Sequence, residues 1–523
     1  MINIDSKLTL DRNVVFTGAL DNVLTSTLRT LDTNPMANAV GLDLISMVGP
    51  RTYVDTKERN KYAGAETFFR EFTGTLIVCL SASYFARAFS HLANKFIDPQ
   101  TPINPSSWLS DESIKFLNNQ WNRSHDTTKY VTDVLDSISG RDRNITRYFK
   151  NIDWENIDWV DEKSWSRIKW DNRNFKNIHA NLKDKQSIIS AIEELIIDKN
   201  ISLSDRNNLL KILELRLTNA LKSDKINAGS ELTSTISNLL RDMTDLGKNV
   251  FTNTDINTEK ALSKLFKINK IKSIGALALA STLGLFNQYI NRKITEKRTG
   301  ARGFVGDTNY NNQIKEKKSN QDKSPKFILK KILASIGMAL MAITVMKVKS
   351  PKDFLKKLEF TGPVTSGNAI KTVYASTLIG RFLASDNEDE LRETVTRDYL
   401  GFLNWLVLGG FAAKGIANIL DPKKAYLFNI SKNGSGIKQW LNNISLKSHN
   451  EIAAQGETFA KKHMWKANLA QLGGLTYSTI ALGVLLPKLN IFITKYKQAN
   501  NSPQKNNRSY FVEPLSIDKF VLK

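Results

Sequence analysis

The chain has very little cysteine and histidine, and that scarcity removes several kinds of chemistry. Cys79 is the single cysteine in 523 residues, so neither a disulfide framework nor a cysteine-ligated zinc site can form within one chain. It lies inside an apolar run and reads as a buried, inert thiol. The five histidines are His91, His125, His179, His449 and His463. No two stand three or four residues apart, so a helical pair of metal ligands is unsupported. The nucleophile elbow G-x-S-x-G, the phosphate loop G-x-x-x-x-G-K-[ST] and the dinucleotide motif G-x-G-x-x-G are all missing. The glycines of 300–306 have the wrong spacing for phosphate, and Asn433-Gly434-Ser435-Gly436 reads as a turn. No catalytic residue, cofactor site or metal site is assigned, and the reading leans away from an enzyme. Met1 to Leu20 lack a basic start followed by a sustained apolar core, so no cleavable secretory signal is expected and membrane insertion would use internal segments.

Positive charge, by contrast, is abundant. The 74 Lys and Arg against 51 Asp and Glu give a net charge of +23, which favours anionic partners. Its distribution argues against nucleic acid. The polar stretch Pro99 to Lys260 holds 23 basic and 24 acidic residues, whereas Arg292 to Lys331 holds 12 and 4, and Lys414 to Lys466 holds 9 and 3. The excess sits between apolar segments, where the headgroups of an anionic bilayer would meet it.

Five such segments lie between charges: Phe72 to Ala86, Ser273 to Asn291, Ile332 to Met346, Tyr399 to Ala413 and Ala467 to Pro487, of 15, 19, 15, 15 and 21 residues. A spanning helix needs about 20 mainly apolar residues. By length the second and fifth qualify, and the other three need flanking Arg and Lys stems to reach outward. All are rich in small residues, which let helices approach closely within lipid.

Two segments share their lead-in. Glu66-Thr67-x-x-Arg70-Glu71-Phe72-x-Gly74-x-Leu76 matches Glu393-Thr394-x-x-Arg397-Asp398-Tyr399-x-Gly401-x-Leu403 without a gap, and the match runs on to Ala86-Arg87 against Ala413-Lys414. A second match aligns Gly275 with Gly474, Leu283-Gly284 with Leu482-Gly483, Asn291 with Asn490 and Ile294-Thr295 with Ile493-Thr494. The order is the same in both halves, as duplication of one unit requires. Glu66 and Arg70 are four apart, as are Glu393 and Arg397, the favourable order for an ion pair along a helix. Placed at the segment edges, these pairs read as lead-ins at the headgroup level, with Arg87 and Lys414 anchoring the opposite interface. The competing reading puts both pairs on one polar pathway inside the protein.

The expected architecture is an all-α integral membrane protein with two related halves and a soluble helical insert. Its parts are 1–97 with the first apolar helix, the polar insert 98–260, 261–357 with the second and third helices, 358–499 with the fourth and fifth, and the tail 500–523. If all five segments cross, the halves form an inverted repeat; if Ile332 to Met346 does not, they are parallel. In the insert, helical spacing marks Ile188 to Ile197, Leu209 to Leu221 and Leu232 to Leu246, with Ser202 to Asp205 starting the second. The doubled Asn151-Ile152-Asp153-Trp154 and Asn156-Ile157-Asp158-Trp159, continued by Trp165 and Trp170, reads first as packing and second as a protein- or carbohydrate-binding surface. The functional expectation is a non-enzymatic scaffold or interaction protein in the cell or inner membrane, bound to anionic lipid. The alternatives are a small-solute transporter or channel with inverted repeats, and a peripheral helical protein binding anionic lipid or nucleic acid through Lys315 to Lys331.

Overall fold

A computed structural model describes residues 19–101, 103, 110–139, 184–198, 200–221, 223, 225–228, 232–307, 310–316, 321–360, 366–430 and 444–501. The tryptophan repeat of 151–170 lies outside them. The fold is predominantly helical. After α1 (Ala19–Thr33), seven long rods carry the architecture. The first, α2, is Pro35–Leu42, a π-helical stretch Asp43–Val48 and Gly49–Glu58; the second, α3, is Lys61–Thr75, π-helical Leu76–Ser81 and Ala82–Phe96.

The insert follows. Helices α4 (Asp111–Trp121), α5 (Thr127–Asp136), α6 (Lys185–Ile197), α7 (Leu203–Leu221) and α8 (Ile236–Leu246) surround an antiparallel sheet of β1 (Ile138–Ser139), β2 (Lys225–Ala228) and β3 (Leu232–Thr235). Helix α7 begins where Ser202 Oγ accepts from the Asp205 amide at 3.0 Å. Leu232 to Thr235, expected as helix, pair with β2 instead, and the helix starts at Ile236 behind the Thr235 cap. Their core includes Leu117, Tyr130, Ile192, Leu213 and Met243, each below 2% exposed.

The remaining rods are α9 (Thr258–Thr299), α11 (Pro325–Val345), α13 (Gly367–Ala384), α14 (Glu388–Leu403, π-helical Asn404–Leu408, Gly409–Leu420) and α16 (Glu457–Ser478, π-helical Thr479–Leu485, Leu486–Asn501). Short helices α10 (Tyr310–Glu316), α12 (Pro351–Lys357) and α15 (His449–Ala453), and the hairpin of β4 (Phe428–Ile430) with β5 (Ile444–Leu446), join them.

Among the described residues, three helices are long and apolar enough to cross a membrane: Lys61–Phe96, Pro325–Val345 and Thr458–Gln498. They carry the first, third and fifth apolar segments. Helix α9, which carries the second segment, is not among them: it has the length expected of it, but Asn287, Gln288 and Asn291 lie on its buried face. Helix α11 lies almost wholly on the outside: Ile328, Leu329, Ile332, Leu333, Ile336, Leu340 and Ile343 are all exposed.

Contacts fix the directions of the rods. Lys331 near the start of α11 donates to the Leu383 carbonyl at the end of α13, and Thr372 near the start of α13 contacts Met346 just past the end of α11, so these two are antiparallel. Helix α9 runs with α13, since Gly284 meets Thr377, and Arg292 pairs with Asp386 just beyond α13. It runs against α3, since Asn291 meets Glu66, and Lys264 meets Thr101. Helix α14 runs with α11: Lys330 meets Glu388 and Ala334 meets Tyr399. Rods α3 and α14 therefore point the same way, and the contacts do not support the inverted repeat that five crossings alone would give. The physical reason is α13. Lys371 and Arg381 interrupt its uncharged runs, so it is absent from the five apolar segments, yet it adds one more rod between the halves.

Matched residues occupy matched environments. Asn60 and Asn387, each six residues before its glutamate, cap α3 and α14. The π stretches Leu76–Ser81 and Asn404–Leu408 fall in the same register. Asn291 Nδ2 donates to the Glu66 carbonyl at 3.1 Å, and Asn490 Nδ2 to the Glu393 carbonyl at 3.5 Å.

Candidate functional site: a buried arginine–carboxylate cluster

The two Glu-Thr-x-x-Arg-acid sequences meet inside the molecule. Glu66, Arg70, Glu393 and Arg397 are only 5–7% exposed. All four line one narrow cleft of about 30 Å³, together with Asp55, Arg59, Gln288, Arg381 and Glu390. The expected ion pairs four residues apart do not form. Each arginine turns to the acid beside it: Arg70 Nη2 lies 3.1 Å from Glu71 Oε1, and Arg397 Nε 3.0 Å from Asp398 Oδ1. That leaves Glu66 to accept from Gln288 Nε2 at 3.1 Å, and Glu393 to take Arg59 Nη2 at 2.5 Å and Thr494 Oγ1 at 3.0 Å.

Arg381 joins the two halves. Its Nη2 lies 3.3 Å from Glu71 Oε2 and its Nη1 3.3 Å from Asp398 Oδ1. Arg51 closes the chain at the other end, 3.2 Å from Glu71 Oε1, while its Nε donates to the Leu482 carbonyl at 3.0 Å. The result is a connected row, Arg51–Glu71–Arg381–Asp398–Arg397, with Arg70 added on Glu71. Four guanidiniums share two carboxylates. Burial of charge is costly unless each group is paired and hydrogen-bonded, and this sharing keeps every guanidinium in contact with a carboxylate.

A second group flanks the first. Arg292 on α9 pairs with both Asp386 and Glu390, and Arg302 approaches Asp386 at 3.4 Å. Arg59 also holds Asp55 at 3.1 Å, and Thr67 donates to Asp55 at 2.6 Å. Arg59 and Gly306 line both the narrow cleft and a wider cavity of about 260 Å³ bounded by Glu58, Asn60, Asp307, Asn311, Thr494 and Lys495. The narrow cleft and the wider cavity thus adjoin at Arg59 and Gly306. Beyond it, Thr75 donates to buried Asp43 at 3.1 Å, and Ser46 and Thr479 hydroxyls meet at 2.8 Å.

The cluster sits deep. Tyr399, next to Asp398, donates to the carbonyl of Ala334 at 2.8 Å, the tenth residue of the 21-residue α11. The outside at this level is apolar, with Phe72, Leu76, Phe286 and Leu400 exposed.

Of the other residues singled out in the sequence, Arg87 is exposed on the far part of α3, and half-buried Lys414 lies 5.3 Å from the Phe411 ring. Neither joins the cluster. Sequence reasoning missed Arg51, Arg59, Arg292 and Arg381. The faint signal was a shared spacing: Ser46 and Arg51 are five apart, as are Ser376 and Arg381, each followed shortly by aspartate. Among the described residues no group of His, Cys, Asp and Glu is arranged to hold a metal ion. No known protein family, curated protein or solved structure matches this chain.

Proposed function

We propose that this is a polytopic membrane protein in which two parallel, duplicated halves enclose an ionic pathway for a small solute. The observation that carries the reading is the joining of matched Arg–acid pairs by Arg381 at mid-height of α11, inside a shell of exposed apolar side chains. Ionisable groups within a membrane face the interior, pair with one another and mark ion or substrate paths. A polar interior with an apolar exterior is also the arrangement that lipid selects. Seven rods cross in this reading, α2, α3, α9, α11, α13, α14 and α16. The duplicated halves are supported by the matched caps, π stretches and asparagine contacts. Because guanidiniums outnumber carboxylates in the central row, a small anion is the first solute to test.

A scaffold role is the second reading, and the insert favours it, since it has its own core and would project a large helical surface beyond the membrane. Both readings place the chain in a bilayer, whereas a peripheral protein would not expose one face of α11 so completely.

The test has two steps. Alkaline carbonate should leave the protein in the membrane pellet; release would end both membrane readings. Purified protein in liposomes should then pass chloride down a gradient, and Arg381→Met should slow that passage roughly tenfold or more, as loss of one strong charge contact does. Tight liposomes, or equal flux in the variant, would leave the scaffold reading in place.

A further inference from the structure

A larger cavity lies apart from the arginine cluster, toward the face that carries the insert. It measures about 340 Å³ and is walled by α14 and α16, with α1, α2, α15 and β5 at its sides. Its apolar lining includes Leu42, Trp405, Gly409, Gly410, Gly474 and Leu475. Its mouth is charged, with Asp32 and Lys447. Asp32 is held in place by His449, whose amide donates to Oδ2 at 2.8 Å and whose Nδ1 lies 3.1 Å from the same oxygen. His449 is fixed in turn by Asn468 at 2.9 Å, and Asn468 by Thr25 at 2.8 Å. Lys447 is half-buried, and no described carboxylate lies within ion-pair distance of it. Burial lowers its pKa from the ordinary lysine value.

The first half shows what the same register looks like when it is packed. Trp405, Gly409 and Gly410 align with Val78, Ala82 and Ser83, and Gly474 aligns with Gly275. There Val78 and Ala82 are buried in the core, and the Phe89 ring lies 3.4 Å from where a Gly275 Cβ would be. In the second half Gly409 and Gly410 stand in place of Ala82 and Ser83, Ile416 in place of Phe89 and Trp405 in place of Val78, and the cavity lies beside them. Gly409 and Gly474 let α14 and α16 approach closely, since a Cβ at Gly474 would lie 2.9 Å from the Ala413 Cβ and one at Gly409 2.7 Å from Ser478 Oγ, whereas a Cβ at Gly410 would meet nothing within 4 Å. An empty cavity of this size costs stability, which an occupant would recover. Concave, mostly apolar sites with a few placed polar groups are where small molecules bind, and about 300 Å³ is the lower end of their size.

We propose that this cavity binds a small zwitterionic amphiphile. Its ammonium is received by Asp32, its anionic oxygen by Lys447, and its apolar part by the Trp405–glycine lining. Two sources share that chemistry: an ethanolamine phospholipid, and a free α-amino acid with an apolar side chain. The proposal does not depend on solute passage through the arginine cluster.

The experiment uses the full chain in detergent, with dihexanoylphosphatidylethanolamine and L-leucine as probes and dihexanoylphosphatidylglycerol as the control without an ammonium. Calorimetric titration and the melting temperature are read together. One of the two zwitterions should bind and raise the melting temperature, and the control should bind roughly tenfold more weakly or worse. Lys447→Gln should weaken binding by a similar factor. Gly410→Leu should abolish it without unfolding the protein, because a Cβ at Gly410 meets nothing within 4 Å; its melting temperature without probe is the check on folding. Lipid binding alone identifies the phospholipid, and leucine binding alone the amino acid. Binding of neither, equal binding of the control, or binding unchanged in Lys447→Gln would overturn the proposal.

Discussion

At the scale of single residues, Arg381 is the most exposed to test. It bridges Glu71 and Asp398, at 3.3 Å to each, and its removal leaves two buried carboxylates short of a partner. Breaking a buried ion pair from one side costs about 3–5 kcal/mol. Arg381→Met should therefore destabilise the detergent-solubilised protein by that order in denaturant titration, and adding Glu71→Gln should recover part of the loss. An unchanged midpoint in the single variant would mean the row is not a structural unit. Asp242 in the insert offers a pH test. Burial raises its pKa to about 7, with Asp245 adding to the effect, while a hydrogen bond from Ser113 and the nearby Arg241 and Lys272 oppose it. A carboxyl whose folded pKa lies above its unfolded value binds more protons when folded, so stability falls as pH rises between them. The insert should weaken from pH 4 to pH 7 by up to about 1.4 kcal/mol per pH unit, read as falling amide protection over 236–246 relative to the unfolded chain at the same pH. Asp242→Asn should flatten that slope. The repeated Glu66, Arg70, Glu393 and Arg397 could be read from the sequence as duplicated residues. Their partners could not, because the matched sequences do not extend to Arg51 and Arg381, and because ion-pair choice is decided by three-dimensional packing.

At the scale of elements, close approach of α9 to α13 holds the two halves together. A Cβ at Gly380 would lie 2.3 Å from the Leu285 carbonyl oxygen, and one at Gly284 would lie 2.7 Å from Thr377 Oγ1. Backbone cannot yield there as a flexible side chain would. Gly380→Val should push the helices apart and cost about 1–3 kcal/mol, the usual penalty for overpacking. Gly415, on α14, has open space around its Cβ position. Gly415→Ala should instead stabilise by about 0.5–1 kcal/mol, since alanine is the better helix former. If the two substitutions shift the melting temperature equally, close packing at Gly380 is not what joins the halves. The apolar runs made the helices α3, α9, α11, α14 and α16 legible in the sequence. Two rods escaped, α2 and α13, because Asp43, Arg51, Lys371 and Arg381 break their uncharged stretches. Three of those four charges, Asp43, Arg51 and Arg381, are buried, so the groups that form the polar interior are also the ones that hid the helices.

At the scale of the whole molecule, the extra rod changes which loops share a face. The α2–α3 turn at Asn60 lies against Val305, donating to its carbonyl at 2.9 Å. The start of α11 lies against Asp386, whose carbonyl accepts from the Asp322 amide at 2.7 Å, and the end of α16 reaches Asp307 through Gln498 at 3.4 Å. These turns form one face. The insert, the α11–α13 connection and the β4–β5 hairpin lie at the other end of the rods, where Ser223 of the insert meets Glu451 of α15 at 3.4 Å. An inverted repeat would place the matched caps Asn60 and Asn387 on opposite sides of a membrane; parallel halves place them on the same side. With Cys79 replaced by alanine, single cysteines at Asn60 and Asn387 should react with an impermeant maleimide from one side only. Cysteines at Ser350 and Lys423 should react only from the other. Labelling of Asn60 and Asn387 from opposite sides would rule out the parallel arrangement and α13 as a crossing rod, and labelling of all four from one side would rule out passage of the bundle through a bilayer.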